Sequence, residues 1–307
     1  MGLIPLFRNK IRNLLCSGSK EVDSYNGTPI LPQQEGNDLI RRMVTSPEPA
    51  MAARIGRIEL QCIVNYLGIR KNPGRSYRKL VKKDLANNAG FFPATDEMLD
   101  RFCEVFLGHL RQVDIMGVWF NKGEDHVCHT FCPDARLVRL RSLEPYYHEH
   151  PWSEELRDKK VLVVHPFQHT IVSQIAESRE RLFADPAVLP PFRLETIRAV
   201  QTIAGAESSF ATWFEAYDYM CSEMAKKDFD IAIIGAGAYG LPLAAHAKKL
   251  GKKAVHLGGA TQILFGIKGK RWDNHEVIAK LYNEYWVRPS EDETPSNSRA
   301  VEGGCYW

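Results

Sequence analysis

The apolar, β-branched run Asp230-Ile231-Ala232-Ile233-Ile234 stops at the turn Gly235-Ala236-Gly237-Ala238-Tyr239-Gly240. A helix-like segment, Leu241 to Leu250, follows and is closed by Gly251. A second short strand, Ala254 to Leu257, then runs into Gly258-Gly259. Strand, glycine turn, helix and strand in this order form the unit that binds phosphates in doubly wound α/β proteins. Glycines let the backbone approach a phosphate, and the helix N-terminus offers it free N–H groups and a positive dipole end. A NAD or FAD fingerprint of this type needs an acidic residue about 20 positions on, at the end of the second strand. Here that strand ends in His256-Leu257-Gly258-Gly259, and little chain remains to complete a dinucleotide fold. A phosphate or diphosphate of another kind, such as that of a nucleotide-sugar, suits the unit better. A tight turn with no ligand is the plain structural alternative.

Three further clusters have residue types suited to an anionic ligand. Arg54-Ile55-Gly56-Arg57-Ile58-Glu59 joins a glycine turn to two guanidiniums and a carboxylate. At a strand end, Arg can grip a diphosphate bidentately, and Glu can hold a divalent metal or act as a base. In a solvated first helical turn, the macrodipole alone would favour Glu59. The strand Val161–Val164 ends in His165-Pro166-Phe167-Gln168-His169, where imidazoles could bind phosphate or move protons, or simply cap and pack. Gly258-Gly259 continues through Gln262 into Lys268-Gly269-Lys270-Arg271-Trp272, a loop of three cations, glycine and an aromatic. Such a loop suits an anion, or is a basic surface loop. The short run His126-Cys128-His129-Cys132 lacks the second ligand pair that a zinc site needs. Neither a serine nucleophile elbow nor a Walker A pattern is present.

These clusters must be positioned by strands and helices. The pattern predicts strands at 53–56, 114–120, 137–140, 160–167, 192–200, 230–234 and 254–257. Helices are expected at 38–50, 59–67, 95–110, 168–182, 208–227, 241–250 and 274–285. Residues 17–37 read as loop or linker, 71–93 as loop-like at first, and 289–307 as a polar tail. Strands alternating with helices imply an α/β, Rossmann-like fold: a mainly parallel sheet with helices on both faces in a single domain. The expected division is a basic and apolar N-terminal segment and linker at 1–40, the α/β domain at 41–288, and the tail at 289–307.

A chain of 307 residues with 44% hydrophobic and 25% charged residues suits a globular protein with a sizeable core. A net charge of +3 is too small to argue for nucleic acid. Seven scattered cysteines with no secretory signal ahead of them fit a reduced, cytoplasmic setting. No run reaches the roughly 18 apolar residues that span a bilayer. Residues 2–15 mix Leu, Ile and Phe with Arg and Lys, which suits peripheral contact with a membrane surface or a docking helix.

Taken together, the clusters resemble bacterial and viral polysaccharide-biosynthesis proteins related to the GT-D fold glycosyltransferases. The resemblance spans about residues 50 to 290. It is carried by Arg54-Ile55-Gly56-x-x-Glu59, by Val161–His165-Pro166-Phe167, by the run from Phe229 to Trp272, and by the ending Glu302-Gly303-Gly304-Cys305-Tyr306-Trp307. It implies a Rossmann-like domain that moves a sugar from a nucleotide-sugar donor to a glycan or lipid-linked acceptor. It also implies a divalent metal, Mn or Mg, held by an Asp-x-Glu pair. Here the Glu is Glu59, but Arg57 stands at the Asp position, and its charge could replace the metal at the leaving diphosphate. On this basis Glu59 is the expected base or metal ligand, with His165 in reserve. The expected donor-binding residues are Arg54, Gly56, Arg57, Gly235, Gly237, Tyr239, Gly240, Gly258, Gly259, Gln262, Lys268, Lys270 and Arg271. The alternatives are a non-catalytic nucleotide- or anion-binding protein of the same fold and an NAD-dependent oxidoreductase.

Overall fold

The computed structural model describes residues 22–72 and 74–307. The membrane contact read at residues 2–15 lies outside the described residues. Nine strands form one sheet: β1 (Ser24–Tyr25), β2 (Thr28–Leu31), β3 (Met51–Arg54), β4 (Ile115–Val118), β5 (Arg136–Arg139), β6 (Lys160–His165), β7 (Arg193–Arg198), β8 (Ile231–Ile234) and β9 (Lys253–His256). Their order is β1-β2-β5-β4-β3-β9-β8-β6-β7, and only the β1–β2 pair is antiparallel. β4 and β8 are buried along their whole length, as parallel strands covered on both faces must be.

Alternate side chains feed two apolar layers, because the strand period is two. Val161, Val163, Ile231, Ile233 and Val255 point to one face, against α1 (Gln33–Thr45), α6 (Gln168–Glu177) and the buried Trp152. Leu162, Val164, Ala232, Ile234 and Ala254 point to the other. There they meet α2 (Arg57–Lys71), α3 (Lys79–Ala89), α4 (Asp96–Leu110), α5 (Glu124–Phe131), α7 (Trp213–Ala225) and α8 (Gly240–Lys249). α4 starts where its Thr95 hydroxyl accepts the N–H of Met98, and α7 starts likewise with Thr212 and Glu215. The result is a mostly parallel sheet flanked by helices, a Rossmann-like α/β architecture.

Beside shifts of a few residues at element ends, the structure departs from the sequence reading in four places. Residues 17–37 are not simply loop: β1 and β2 form a hairpin there, turning on Asn26 and Gly27, both with positive φ, and β2 extends the sheet beside β5. α1 consequently begins at Gln33, ahead of the expected 38. The basic stretch 71–93 contains α3, closed by Gly90 in the left-handed conformation. The helix expected at 274–285 is absent. A single 3-10 turn, Ile278–Lys280, stands there, with His275 Nδ1 accepting the N–H groups of Val277 and Ile278 and Asn283 turning the chain.

The polar tail is docked against the domain. Glu293 is 2% exposed, and its carboxylate accepts the N–H groups of His169 (2.6 Å) and Thr170 (3.2 Å) and the Thr170 hydroxyl. It therefore caps the first turn of α6 from 123 residues away in sequence. The Trp307 indole N–H donates to the Glu293 carbonyl at 3.1 Å.

Candidate functional site

In a parallel sheet, ligand groups gather beyond the C-terminal strand ends, where neighbouring connections diverge. Here β6 leads through α6 outward to β7, while β8 leads through α8 inward to β9, and the two helices cover opposite faces. The switch point thus lies between His165, the last residue of β6, and Gly235, the first after β8. A cleft of about 280 Å³ opens there.

Each wall of the cleft starts at a strand end. From β3 come Arg54, the N-cap Gly56, and Arg57 and Glu59 in the first turn of α2. A Cβ at Gly56 would overlap the Glu59 carboxylate, so the glycine makes room for this folded-back acid. From β6 comes His165, and from β8 come Gly235, Gly237 and Tyr239. A Cβ at Gly235 would lie 2.6 Å from Thr261 Oγ1 and 2.7 Å from both the Gly258 carbonyl oxygen and His165 Cδ2. The turn is therefore glycine because three strand ends converge on it. From β9 come Gly258, Gly259 and Gln262, and Arg271 closes this side.

Three of the residues expected at the site stand off the cleft wall. Gly240 opens α8 and accommodates the His256 ring, which a Cβ would hit. Lys268 lies over the Tyr282 ring, its Nζ 5.5 Å from the centroid. Lys270 Nζ donates to the Gly303 carbonyl at 3.0 Å. The cationic loop thus sends Arg271 alone into the cleft wall.

Four residues beyond the expected site set stand at or beside the site. Trp119, just past β4, lies under the Arg54 guanidinium at 4.2 Å and lines the cleft. Glu144, beyond β5, interacts electrostatically with Arg54. Glu302 and Tyr306, from the tail, line the cleft beside Arg271. Trp119 lies inside the strand expected at 114–120, but the observed strand ends at Val118 and leaves Trp119 at the strand end. Glu302 and Tyr306 belong to the ending that carries the resemblance, but only tertiary docking brings them to the cleft.

The electrostatics follow from burial. Burial opposes charge on Arg54, with Glu59 and Glu144 acting in the other direction. A guanidinium is intrinsically too basic to deprotonate, so Arg54 remains a cation. Burial raises the Glu59 carboxyl above its ordinary range, and Arg54 counters it. Glu144 is raised in the same way, again opposed by Arg54. Burial pushes His165 down to about 3, so its imidazole is neutral. Its Nδ1 accepts the N–H of Phe167 at 3.0 Å. The single ring proton therefore sits on Nε2, making His165 a hydrogen-bond donor there. Arg54 Nε and Gln262 Oε1 are buried without a partner among the described residues, and both residues line the cleft. Buried polar atoms are normally satisfied, so a donor and an acceptor left open in one cleft suit a polar ligand.

No protein-family model and no curated protein matches the chain. Two solved structures resemble it in shape. One is described as a selenomethionine-substituted structure of domain of unknown function 1792; it is 14% identical, with a TM-score of 0.42, over 75% of this chain and 78% of its own. The other is described by the words "the highly conserved domain of unknown function 1792 has a distinct glycosyltransferase fold". It is 15% identical, with a TM-score of 0.42, over 86% of this chain and 92% of its own. Likeness at this level carries no functional argument, so the function has to be read from the cleft itself.

The donor set does not fit the divalent metal that an Asp-x-Glu pair would hold. Hard cations take clusters of oxygen ligands. Glu59 instead faces a guanidinium, and Arg57 occupies the position of the second carboxylate. Among the described residues, no three His, Cys, Asp or Glu side chains are grouped to hold a metal. Cys128 on α5 and Cys132 at its C-cap are both buried, and the hydrogen bond with Cys132, followed by burial, holds the Cys128 thiol protonated.

Proposed function

We propose that the protein is a glycosyltransferase that moves a sugar from a nucleotide-sugar to a hydroxyl of a glycan or lipid-linked acceptor. One observation carries this reading. Glu59, His165 and the Gly235–Gly237 turn, from three separate strand ends, line a single cleft together with Arg57 and Arg271. Glycosyl transfer needs charge stabilised on a departing diphosphate and a group to take the acceptor's proton. Arg57 and Arg271 supply positive charge. Gly235 and Gly237 let the backbone approach the phosphates. Glu59 is the base, its proton affinity raised by burial. His165 Nε2–H donates to a sugar or phosphate oxygen.

The test is calorimetric titration with UDP, GDP, ADP, CDP and NAD, followed by assay of the best nucleotide as its sugar conjugates. The expected outcome is that at least one nucleoside diphosphate binds more tightly than NAD, in the presence or absence of EDTA. Tighter binding of NAD than of every diphosphate would overturn the reading in favour of an oxidoreductase. A second reading, a non-catalytic nucleotide-binding protein, is favoured by one observation: Arg57 stands where the resembling enzymes carry an acid. Nucleotide binding without turnover or hydrolysis of any sugar conjugate would select it.

A further inference from the structure

The tail returns to the cleft in an unusual conformation. Glu302, Gly303 and Gly304 have φ of 46°, 74° and 83°, three left-handed residues in succession. Glycine adopts this region freely, but a glutamate rarely does. Backbone preference therefore does not explain an acid at 302, whereas its carboxylate contacts do. Oε2 lies 2.5 Å from Arg271 Nη2, and Oε1 lies 3.6 Å from Arg57 Nη2. One guanidinium follows β3 and the other follows β9, neighbouring strands of the sheet, and one carboxylate bridges them with one oxygen each. The rest of the segment is also pinned to the 270–271 backbone. Lys270 N–H donates to the Trp307 carbonyl (3.2 Å), and Arg271 N–H donates to the Cys305 carbonyl (3.0 Å). The Arg271 guanidinium lies 4.7 Å over the Tyr306 ring. Tyr306 in turn covers Gly259, where an added Cβ would come within 2.9 Å of its ring.

We infer that residues 301–307 form a strap whose Glu302 carboxylate occupies the phosphate position between Arg57 and Arg271, and that a diphosphate ligand binds by displacing it. This rests on reading the cleft as a diphosphate site and adds how access to that site is controlled. A tetrahedral phosphate presents oxygens that can bridge two guanidiniums as this carboxylate does, with more charge. The ion pairs are easily exchanged, since the side chains of Glu302, Arg57 and Arg271 are 34%, 58% and 35% exposed. The strained residue and two glycines give the strap a hinge beside its anchor. The strap thereby keeps two converging cations paired until an anion of higher charge arrives.

Inorganic pyrophosphate is the probe. Glu302→Gln keeps the shape of the side chain and removes its charge. It is expected to bind pyrophosphate roughly 3- to 30-fold more tightly than the wild type, the release of two partly exposed ion pairs. Arg271→Gln is expected to bind it more weakly than the wild type. In the unaltered protein, pyrophosphate should speed tryptic cleavage after the exposed Arg299, because the strap lets go. Equal or weaker binding by Glu302→Gln, or cleavage that pyrophosphate leaves unchanged or slows, would overturn the strap. Pyrophosphate gains with no nucleotide-sugar bound by either protein would leave the strap standing and remove the transferase reading. Nucleotide-sugar bound equally by the wild type and Glu302→Gln would do the reverse. Binding of neither anion to either protein would remove both.

Discussion

Glu59 looks in sequence like an ordinary first-turn acid, favoured by the helix dipole. In the structure it is 8% exposed and folded over Gly56 beside the buried Arg54. Replacing it therefore has two consequences. Glu59→Gln should lower the rate of sugar transfer roughly 100-fold or more if Glu59 is the base. It should also cost about 1–3 kcal/mol of stability, because Arg54 loses a charged neighbour while the amide oxygen remains as an acceptor. Rates measured below the melting transition separate the two effects, and an unchanged rate would remove Glu59 from the chemistry. The buried imidazoles give a second residue-scale test. Burial holds His165 and His256 at about 3 and His109 at about 4, against about 6.5 for a free histidine. Between these values the unfolded chain binds more protons, so stability falls as pH drops below about 6.5. Glu124, raised by burial to about 7, contributes with the opposite sign as pH falls from about 7 to the ordinary carboxylate range. Burial also lowers His148, His246 and His275 and raises Glu59 and Glu144, so six histidines stand against three carboxylates among the described residues, which leaves net destabilisation in acid. Urea midpoints between pH 7 and pH 5 should fall, and His256→Gln should flatten that slope by up to about 1.4 kcal/mol per pH unit. A wild-type midpoint that rises on acidification would contradict the burial of these imidazoles.

At the scale of elements, the legible parts were those with a dominant period. The strands ending at His165, Ile234 and His256 were readable because doubly covered parallel strands are nearly continuous apolar runs, whereas β3 spans Met51–Arg54, two residues ahead of the expected 53–56. The Asn26-Gly27 hairpin carried its own turn signal, yet its strands of two and four residues were too short to stand out from a polar stretch. α3 was hidden by its lysines, since Lys79, Leu80 and Lys83 are exposed and only Val81, Leu85 and Ala89 reach the core. The stretch 274–285 shows the opposite error. It has helix-forming residues and an apolar set at helical spacing, Ile278, Leu281, Tyr282 and Tyr285, that packs on the core, but the His275 and Asn283 side chains take backbone N–H groups and turn the chain out of a helix. The glycine turn is the element where sequence and packing agree most fully, and it can be probed directly. Gly235→Ala would press a methyl group between Thr261, the Gly258 carbonyl and His165. The expected cost is about 1–3 kcal/mol, with nucleoside-diphosphate binding lost. Gly251→Ala, whose Cβ meets nothing within 4 Å, carries only the backbone strain of its φ of 78°. It should destabilise the fold while leaving the cleft and its affinity intact. If both variants bind a diphosphate equally well, the turn does not shape the ligand site.

At the scale of the whole molecule, residues 289–307 complete the architecture, although their composition suggests a detachable tail. Nothing in their local pattern announces docking, because the contacts that fix them, the Glu293 carboxylate at the start of α6 and the bonds to Arg271 and Gln262 among them, reach partners far away in sequence. Glu293 satisfies two backbone N–H groups and one hydroxyl at the start of α6. α6 in turn follows His165 and sets the outward course of the chain at the switch point. The tail therefore holds both the first turn of α6 and, through Glu302 and Tyr306, one side of the cleft. Glu293→Ala would leave those three donors buried or forced to find water. The expected cost is about 2–4 kcal/mol, with a fall in Tm of roughly 2 °C or more for each kcal/mol. Glu291→Ala, two residues away and exposed, is the control and should stay within about 0.5 kcal/mol of the wild type. Calorimetric unfolding of the three proteins decides the matter. Equal melting of Glu293→Ala and the wild type would mean that residues 289–307 are an appendage. A selective loss in Glu293→Ala would show that these residues belong to the domain they dock against.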